Sequence, residues 1–430
     1  MAEEHFSRTS SHLRQLSARA SMSRDMEKSG WTLEETRRAV DPPRMINHIP
    51  VKALKFYSRQ KPPQFDYDTP ILLPIRPSKL VVQVSYVGLN PVDIKIMNGY
   101  AKHLSGKIGL GREYSGVISE VSDDLRDLWR VGEEVMGTFW HPNLGKGTCE
   151  TSILVDPTID VIIRKPTALD MKQAGGTLYC LGASYTLLSS LQERGLLNSK
   201  SNVLINGGTT SMGLFTIQLL KYHYGIKNNL WFVCSTKGAR YLRVHFPDLL
   251  GDLVFVDYCS LSGDSVATQL KYLLSDGDAD DYYAKSGALQ AVQFDQGPFT
   301  VVLDYIGGYE LIANSDSIVA PRGIYVSTVG DAIANYKTDV YKYWEASGSK
   351  ARGLIGKVLW SFQYERFFFD PNAKYLAKTD WATECYDLLA ARVVRTLVDS
   401  YYPWKDIRKA LGYLSRGHAH GKVILEVEKF

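Results

Sequence analysis

The spacing of apolar residues changes character along the chain and divides it into three stretches. Residues 1–30 hold few large apolar side chains and set Arg8, Arg14, Arg19 and Arg24 among serines, which predicts a disordered N-terminal tail. Thr32 with Glu35 forms a capping box, Arg37 and Arg38 suit a helix C-terminus, and Pro42-Pro43 stops it, so a short helix is expected within residues 1–45. From residue 46 to 191, short β-branched runs at 80–84, 116–118 and 161–163 are broken by glycine and proline, the pattern of an irregular β-barrel. The period then changes. An apolar run at 203–206, a glycine turn, and Leu214, Ile217 and Leu220 at helical spacing predict the first βα unit of a doubly wound parallel sheet. Further strands are expected at 230–234, 253–256, 301–303, 324–327 and 367–369, and Asp370 with Pro371 reads as the start of a long helix. The helical positions Trp404, Ile407, Leu411 and Leu414 and the run 423–425 are assigned back to the β-domain. The domains are therefore 46–191 with 392–430, and 192–391, the latter carrying long insertions near 260–293 and 331–363.

In the second insertion Leu354, Ile355, Val358, Leu359 and Phe362 share one face of a helix, with Lys350, Arg352, Lys357 and Trp360 beside it. Such a face suits an anionic membrane surface; it equally suits packing on its own domain or across a homo-oligomer. No run of about eighteen apolar residues occurs, so membrane contact is expected to be peripheral. The tail lacks the apolar core of a secretory signal, and five scattered cysteines without a CxxC pair suit reduced thiols, so a cytoplasmic protein is expected. Fifty Lys and Arg against forty-six Asp and Glu leave +4, too small an excess for nucleic-acid binding by phosphate neutralisation.

The chemistry centres on Gly207-Gly208-Thr209-Thr210-Ser211-Met212-Gly213, placed where a Rossmann turn presents backbone N–H groups and a helix N-terminus to a pyrophosphate. It comes with Gly88-Leu-Asn90-Pro91-Val-Asp93, Gly111-Arg112-Glu113-Tyr114-Ser-Gly116, Val131-Gly132-Glu133-Glu134-Val135, Leu303-Asp304-Tyr-Ile-Gly307-Gly308 and Gly417-His418-Ala-His-Gly421-Lys422-Val423, in that order. With these motifs the sequence resembles the quinone-oxidoreductase-like branch of the medium-chain dehydrogenase/reductase superfamily from about Ile46 onward. The resemblance implies a GroES-like β-barrel domain plus a Rossmann doubly wound parallel sheet. Zinc enzymes of that superfamily carry a cysteine before the motif Asp and a Gly-His-Glu motif. Here Asn90 and Arg112 stand in those places, so a zinc-free protein is expected.

The end of the second strand, Cys234-Ser235-Thr236-Lys237, has no carboxylate to accept the ribose hydroxyls of NAD. By resemblance, Ser235, Lys237 and Tyr258 hold the 2′-phosphate of NADPH; the alternative is a basic surface turn. Thr210 and Ser211 replace family glycines, Thr210 the one that admits the pyrophosphate, so NADPH binding is expected to be weak or lost. The resemblance places Asn90 and Asp93 near the nicotinamide ribose and Tyr100 at the substrate mouth, where it offers a quinone oxygen a hydrogen bond. Each also has a plain structural reading, with Asn90-Pro91 as a turn, Asp93 as a helix cap and Tyr100 as its cover.

The arginine-bearing run from Ser11, the Thr209-Thr210-Ser211 turn and the long insertions are similar to the Ast family of budding yeast over the whole chain. That resemblance implies a raft-associated, peripheral factor that helps deliver the plasma-membrane proton ATPase to the cell surface. The competing expectation is an NADPH-dependent, zinc-independent quinone or enone reductase.

Overall fold

Six strands build the second domain, and the first four of them are short apolar runs each followed by a turn and a helix. The structure, a computed structural model, describes residues 47–57, 61, 63–103, 108–259, 264–275, 297–330, 335, 336, 338, 339, 356, 359–373 and 380–428, the side chains of 100–103, 143 and 250 excepted. The unit from Ile49 onward holds both the barrel and the parallel sheet. The parallel sheet runs Leu253–Asp257, Leu230–Cys234, Val203–Asn206, Phe299–Asp304, Val319–Ser327, Gln363–Arg366. All five pairings are parallel, so the sheet is Rossmann-type and its order reverses beside Val203–Asn206, where ligands bind in such sheets. Val203, Ile205, Phe232 and Leu303 pack on one face with the helix Leu178–Glu193, and Leu204, Trp231 and Val302 on the other.

The first domain is the GroES-like barrel. The strand Leu80–Leu89 pairs with Glu113–Val121, Ser152–Val155 and Lys422–Glu426, and Lys422–Glu426 pairs in turn with Val398–Pro403. A register shift between Val84 and Tyr86 moves its inward positions from Leu80, Val82 and Val84 to Val87 and Leu89, all in one buried cluster. The last strand expected from the sequence thus joins the barrel's sheet beside Leu80–Leu89.

Two local expectations are corrected, and an open one is narrowed at Phe362. The edge strand is Gln363–Arg366, and 367–369 follows it. Asp370 accepts from the Asn372 N–H at 3.0 Å in a tight turn, and the helix starts later, at Trp381–Ala390, where Asp380 accepts from Ala382. Phe362 is only 3% exposed and stacks on Trp360 at 5.1 Å beneath the sheet, so its side chain belongs to the domain core. Leu359 is 73% exposed. Leu354, Ile355 and Val358, the tail with its short helix, and most of both insertions lie outside the described residues; of 260–293, the helix Val266–Leu274 lies within them. Among the described residues no helix is long and apolar enough to cross a membrane.

Candidate functional site

At the sheet's reversal Gly207 has φ +91, a left-handed turn that leads from Asn206 into the helix Ser211–Gln218. A Cβ on Gly208 would lie 2.0 Å from the Phe232 ring, and one on Gly213 would lie 2.4 Å from the Gly207 carbonyl. Those glycines are fixed by close packing whether or not a nucleotide is bound. Thr210 is extended, with φ −65, and carries no left-handed strain. Its hydroxyl caps the helix: Oγ1 accepts from the Gly213 N–H at 3.0 Å and donates to the Gly207 carbonyl at 2.8 Å. One N–H that an anion needs is thereby taken, while those of Ser211 and Met212, in the first turn, have no intrahelical partner. Ser211 Oγ donates to the Gly421 carbonyl at 2.9 Å, which ties this turn to the barrel's last loop. Below the turn, buried Asp304 accepts from Asn206, Ile306, Gly307 and Tyr325, and burial pushes its carboxyl above the usual range.

At the end of the neighbouring strand Ser235 caps the helix Thr236–His245, accepting from the Gly238 N–H at 3.1 Å. Tyr258 shares a hydrogen bond with Ser235, and burial raises its phenol above the ordinary value. Lys237 is exposed in the first helical turn. The structure thus brings together the three residues expected at a 2′-phosphate. It also places a carboxylate there. Asp257, paired in register with Cys234, accepts from the Thr236 N–H at 3.0 Å and the Cys259 N–H at 2.8 Å.

Asn90 and Asp93 lead somewhere else. Asp93, in the first turn of Pro91–His103, accepts from the Asn90 N–H at 2.9 Å, one half of a capping box, and from the Gly111 N–H at 3.1 Å. Burial raises its pKa, opposed by Arg112, whose Nε lies 3.6 Å away. The Asn90 amide is committed. Nδ2 donates to Glu113 at 2.7 Å and the Gly88 carbonyl at 3.4 Å, while Oδ1 accepts from Lys422 at 2.8 Å and Cys180 at 3.4 Å. Lys422 Nζ also donates to Glu113 at 2.5 Å and to Cys180 Sγ at 3.6 Å, and Glu113 Oε2 takes the Tyr179 N–H at 3.1 Å. Burial alone would lower the Lys422 pKa, but Cys180 and Glu113 raise it above the ordinary lysine value, so it is an ammonium. The Cys180 thiol is pushed up to about 11, chiefly by burial. Arg112 is held by the carbonyls of Lys146 and Gly109.

An ammonium therefore sits among Asn90, Glu113 and Cys180, beside the positions that hold metal ligands in the zinc enzymes. Among the described residues no group of three His, Cys, Asp or Glu side chains is arranged to hold a metal ion. The Tyr100 backbone lies in Pro91–His103; its side chain is outside the described residues. Sequence reasoning did not single out Lys422, Glu113 or Cys180. Two of them lie inside glycine-bounded motifs, and the signal available was an ionisable residue within an apolar strand pattern. Beside this knot Tyr179 stacks on Trp140 at 5.5 Å and meets Phe369 edge-on at 5.4 Å, an apolar aromatic wall.

Residues 76–175 match the alcohol dehydrogenase GroES-like domain, and residues 278–425 match the zinc-binding dehydrogenase family. The chain is 46% identical to Protein AST2 of Saccharomyces cerevisiae over 395 residues, 91% of this chain and 92% of that one. It is 43% identical to Protein AST1 of the same yeast, covering 92% of each. The quinone oxidoreductase of Coxiella burnetii shares the fold, with a TM-score of 0.60 at 18% identity over 88% of this chain and 99% of the other.

Proposed function

This chain belongs to the family of the yeast proteins AST1 and AST2, within the medium-chain dehydrogenase/reductase superfamily, and we propose that it reuses that fold as a peripheral membrane factor in delivery of the plasma-membrane proton ATPase to lipid rafts and the cell surface. NADPH in this reading is a weakly held ligand. The observation that carries it is the commitment of the site's own groups: the Asn90 amide is spent on Glu113, Lys422 and Cys180, and the Thr210 hydroxyl occupies the Gly213 N–H. An amide with every hydrogen-bonding position filled inside a buried ion pair has nothing left to orient a reacting carbonyl. The test is calorimetric titration with NADPH, alongside NADPH oxidation over a panel of quinones and enones. A Kd above about 10 μM without turnover supports the reading, whereas sub-micromolar binding with turnover overturns it. In cells, loss of the protein should leave the ATPase on internal membranes, and a chain carrying Lys237→Ala should still restore its delivery.

The Ser235, Lys237 and Tyr258 cluster favours a second reading, a zinc-independent NADPH-linked quinone or enone reductase. The glycine turn and its neighbour fit the nucleotide in part. Gly207, Gly208 and the first-turn N–H groups of Ser211 and Met212 would hold the pyrophosphate, and Ser235, Lys237 and Tyr258 the 2′-phosphate. NADPH, when bound, supplies a hydride, and the aromatic wall at Trp140 and Tyr179 would exclude water from an apolar acceptor. Lys237→Ala is expected to cut the preference for NADPH over NADH by about tenfold or more, since a charged phosphate contact is worth roughly 1.5–3 kcal/mol. An unchanged ratio of Kd values removes Lys237 from the phosphate.

A further inference from the structure

The loop before the last strand crosses to the nucleotide turn. Gly421 accepts the Ser211 hydroxyl at 2.9 Å, and the His420 ring beside it stacks on Tyr241 at 5.5 Å. Tyr241 is four residues beyond Lys237 on the helix Thr236–His245, so both lie on one face. His420 Nδ1 is buried and has no hydrogen-bond partner among the described residues. A buried polar nitrogen in that condition is destabilising until something satisfies it.

From this geometry we infer that His420 is a second reader of the nucleotide's 2′-phosphate, taking up a proton as that phosphate enters beside Lys237; this rests on the assignment of Ser235, Lys237 and Tyr258 to a 2′-phosphate. The neighbouring charges select the ligand. Lys237 and His418 both lie close enough to oppose a positive charge on His420, so a metal cation is disfavoured and an anion favoured. On the strand side Asp399 fixes the loop by accepting the His420 N–H at 2.8 Å, and among the described residues it is the one carboxylate that favours the protonated ring. Behind Tyr241 stands His245 at 4.3 Å, and the nearby Arg395 adds further positive charge.

Burial, then Lys237 and His418, against Asp399, hold the imidazole below its ordinary 6.5, so it is neutral above pH 7 in the free protein. A phosphate dianion reverses that balance. Proton uptake on binding makes affinity rise as pH falls, with no further gain below the free imidazole's pKa. An upward shift of about one unit tightens binding by about threefold between about pH 8 and pH 6.5, the rest of the tenfold gain falling at lower pH.

NADP⁺ and NAD⁺ differ only in that phosphate and tolerate acid, so the full chain is titrated with each by calorimetry at both pH values. Wild type should show the roughly threefold gain for NADP⁺ and none for NAD⁺. His420→Gln should lose the pH dependence, and His418→Gln should keep it. The proton resonance of the wild-type His420 ring, followed by NMR, should titrate at higher pH once NADP⁺ is added, a readout that needs no variant to fold. If NADP⁺ binds in a Lys237-dependent way with a flat pH profile and an unmoved midpoint, or if NAD⁺ gains equally, the role of His420 is overturned while the 2′-phosphate site stands. If NADP⁺ binds no better than NAD⁺ at either pH, the site itself fails and this role goes with it.

Discussion

Lys422→Met should destabilise the protein by about 3–5 kcal/mol, because removing one member of a buried pair leaves the Glu113 carboxylate and the Asn90 carbonyl oxygen without their cation. Urea denaturation would read the loss as a lower midpoint with an unchanged slope. Glu113→Gln in the same chain should recover most of it, since the charge that the lysine balanced is then gone. The sign of the lysine's shift sets the pH behaviour. Its pKa is raised from 10.5, so its stabilising contribution is fully present below that value and is lost only as pH climbs through the folded-state pKa above it. A Lys422→Met chain as stable as wild type would mean that the pair only breaks even with an apolar contact.

Thr210→Gly should tighten NADPH binding by about tenfold, the equivalent of one recovered backbone hydrogen bond to a charged oxygen. The hydroxyl that takes the Gly213 N–H disappears, and that N–H becomes available beside those of Ser211 and Met212. The helix loses a cap. Glycine is nearly as good at that position, so stability should fall by only a few tenths of a kcal/mol. Calorimetry with thermal melting separates the two effects, and unchanged or weaker binding would show that the cap does not compete with the nucleotide.

Much of the fold was legible because glycine turns and apolar runs are local signals. Gly207, Gly208 and Gly213 marked the strand-to-helix turn correctly, since each answers to atoms within the turn or on the next strand. The conformation of Thr210 was not legible. A threonine there either follows a glycine's backbone or folds its hydroxyl back as a cap, and only the path of the helix decides. The edge strand slipped because 363–369 alternates poorly, and the register came from pairing with Ile324 to Ser327. Asp370-Pro371 carried the residues of a helix start, yet the Asp370 side chain closes a turn on Asn372. Asp257 escaped notice at the 2′-phosphate turn because it arrives from the next strand, 21 residues beyond Thr236. The buried knot was the least visible, since Glu113 and Lys422 are 309 residues apart and no periodicity spans that distance.

The barrel's last strand has a consequence for the newborn chain. Asn90 and Lys422 are separated by 332 residues, so at about 5–20 residues per second the ribosome needs roughly 15–70 s to deliver the second after the first. For that interval the strand Leu80–Leu89 presents one edge without its partner Lys422–Glu426, and Glu113 lacks its cation. The parallel sheet, whose strands all lie between 203 and 366, emerges whole in the meantime and is free to fold first. The barrel's front half must then wait beside a finished neighbour, an open-edged intermediate of the kind that chaperones hold and proteases cut.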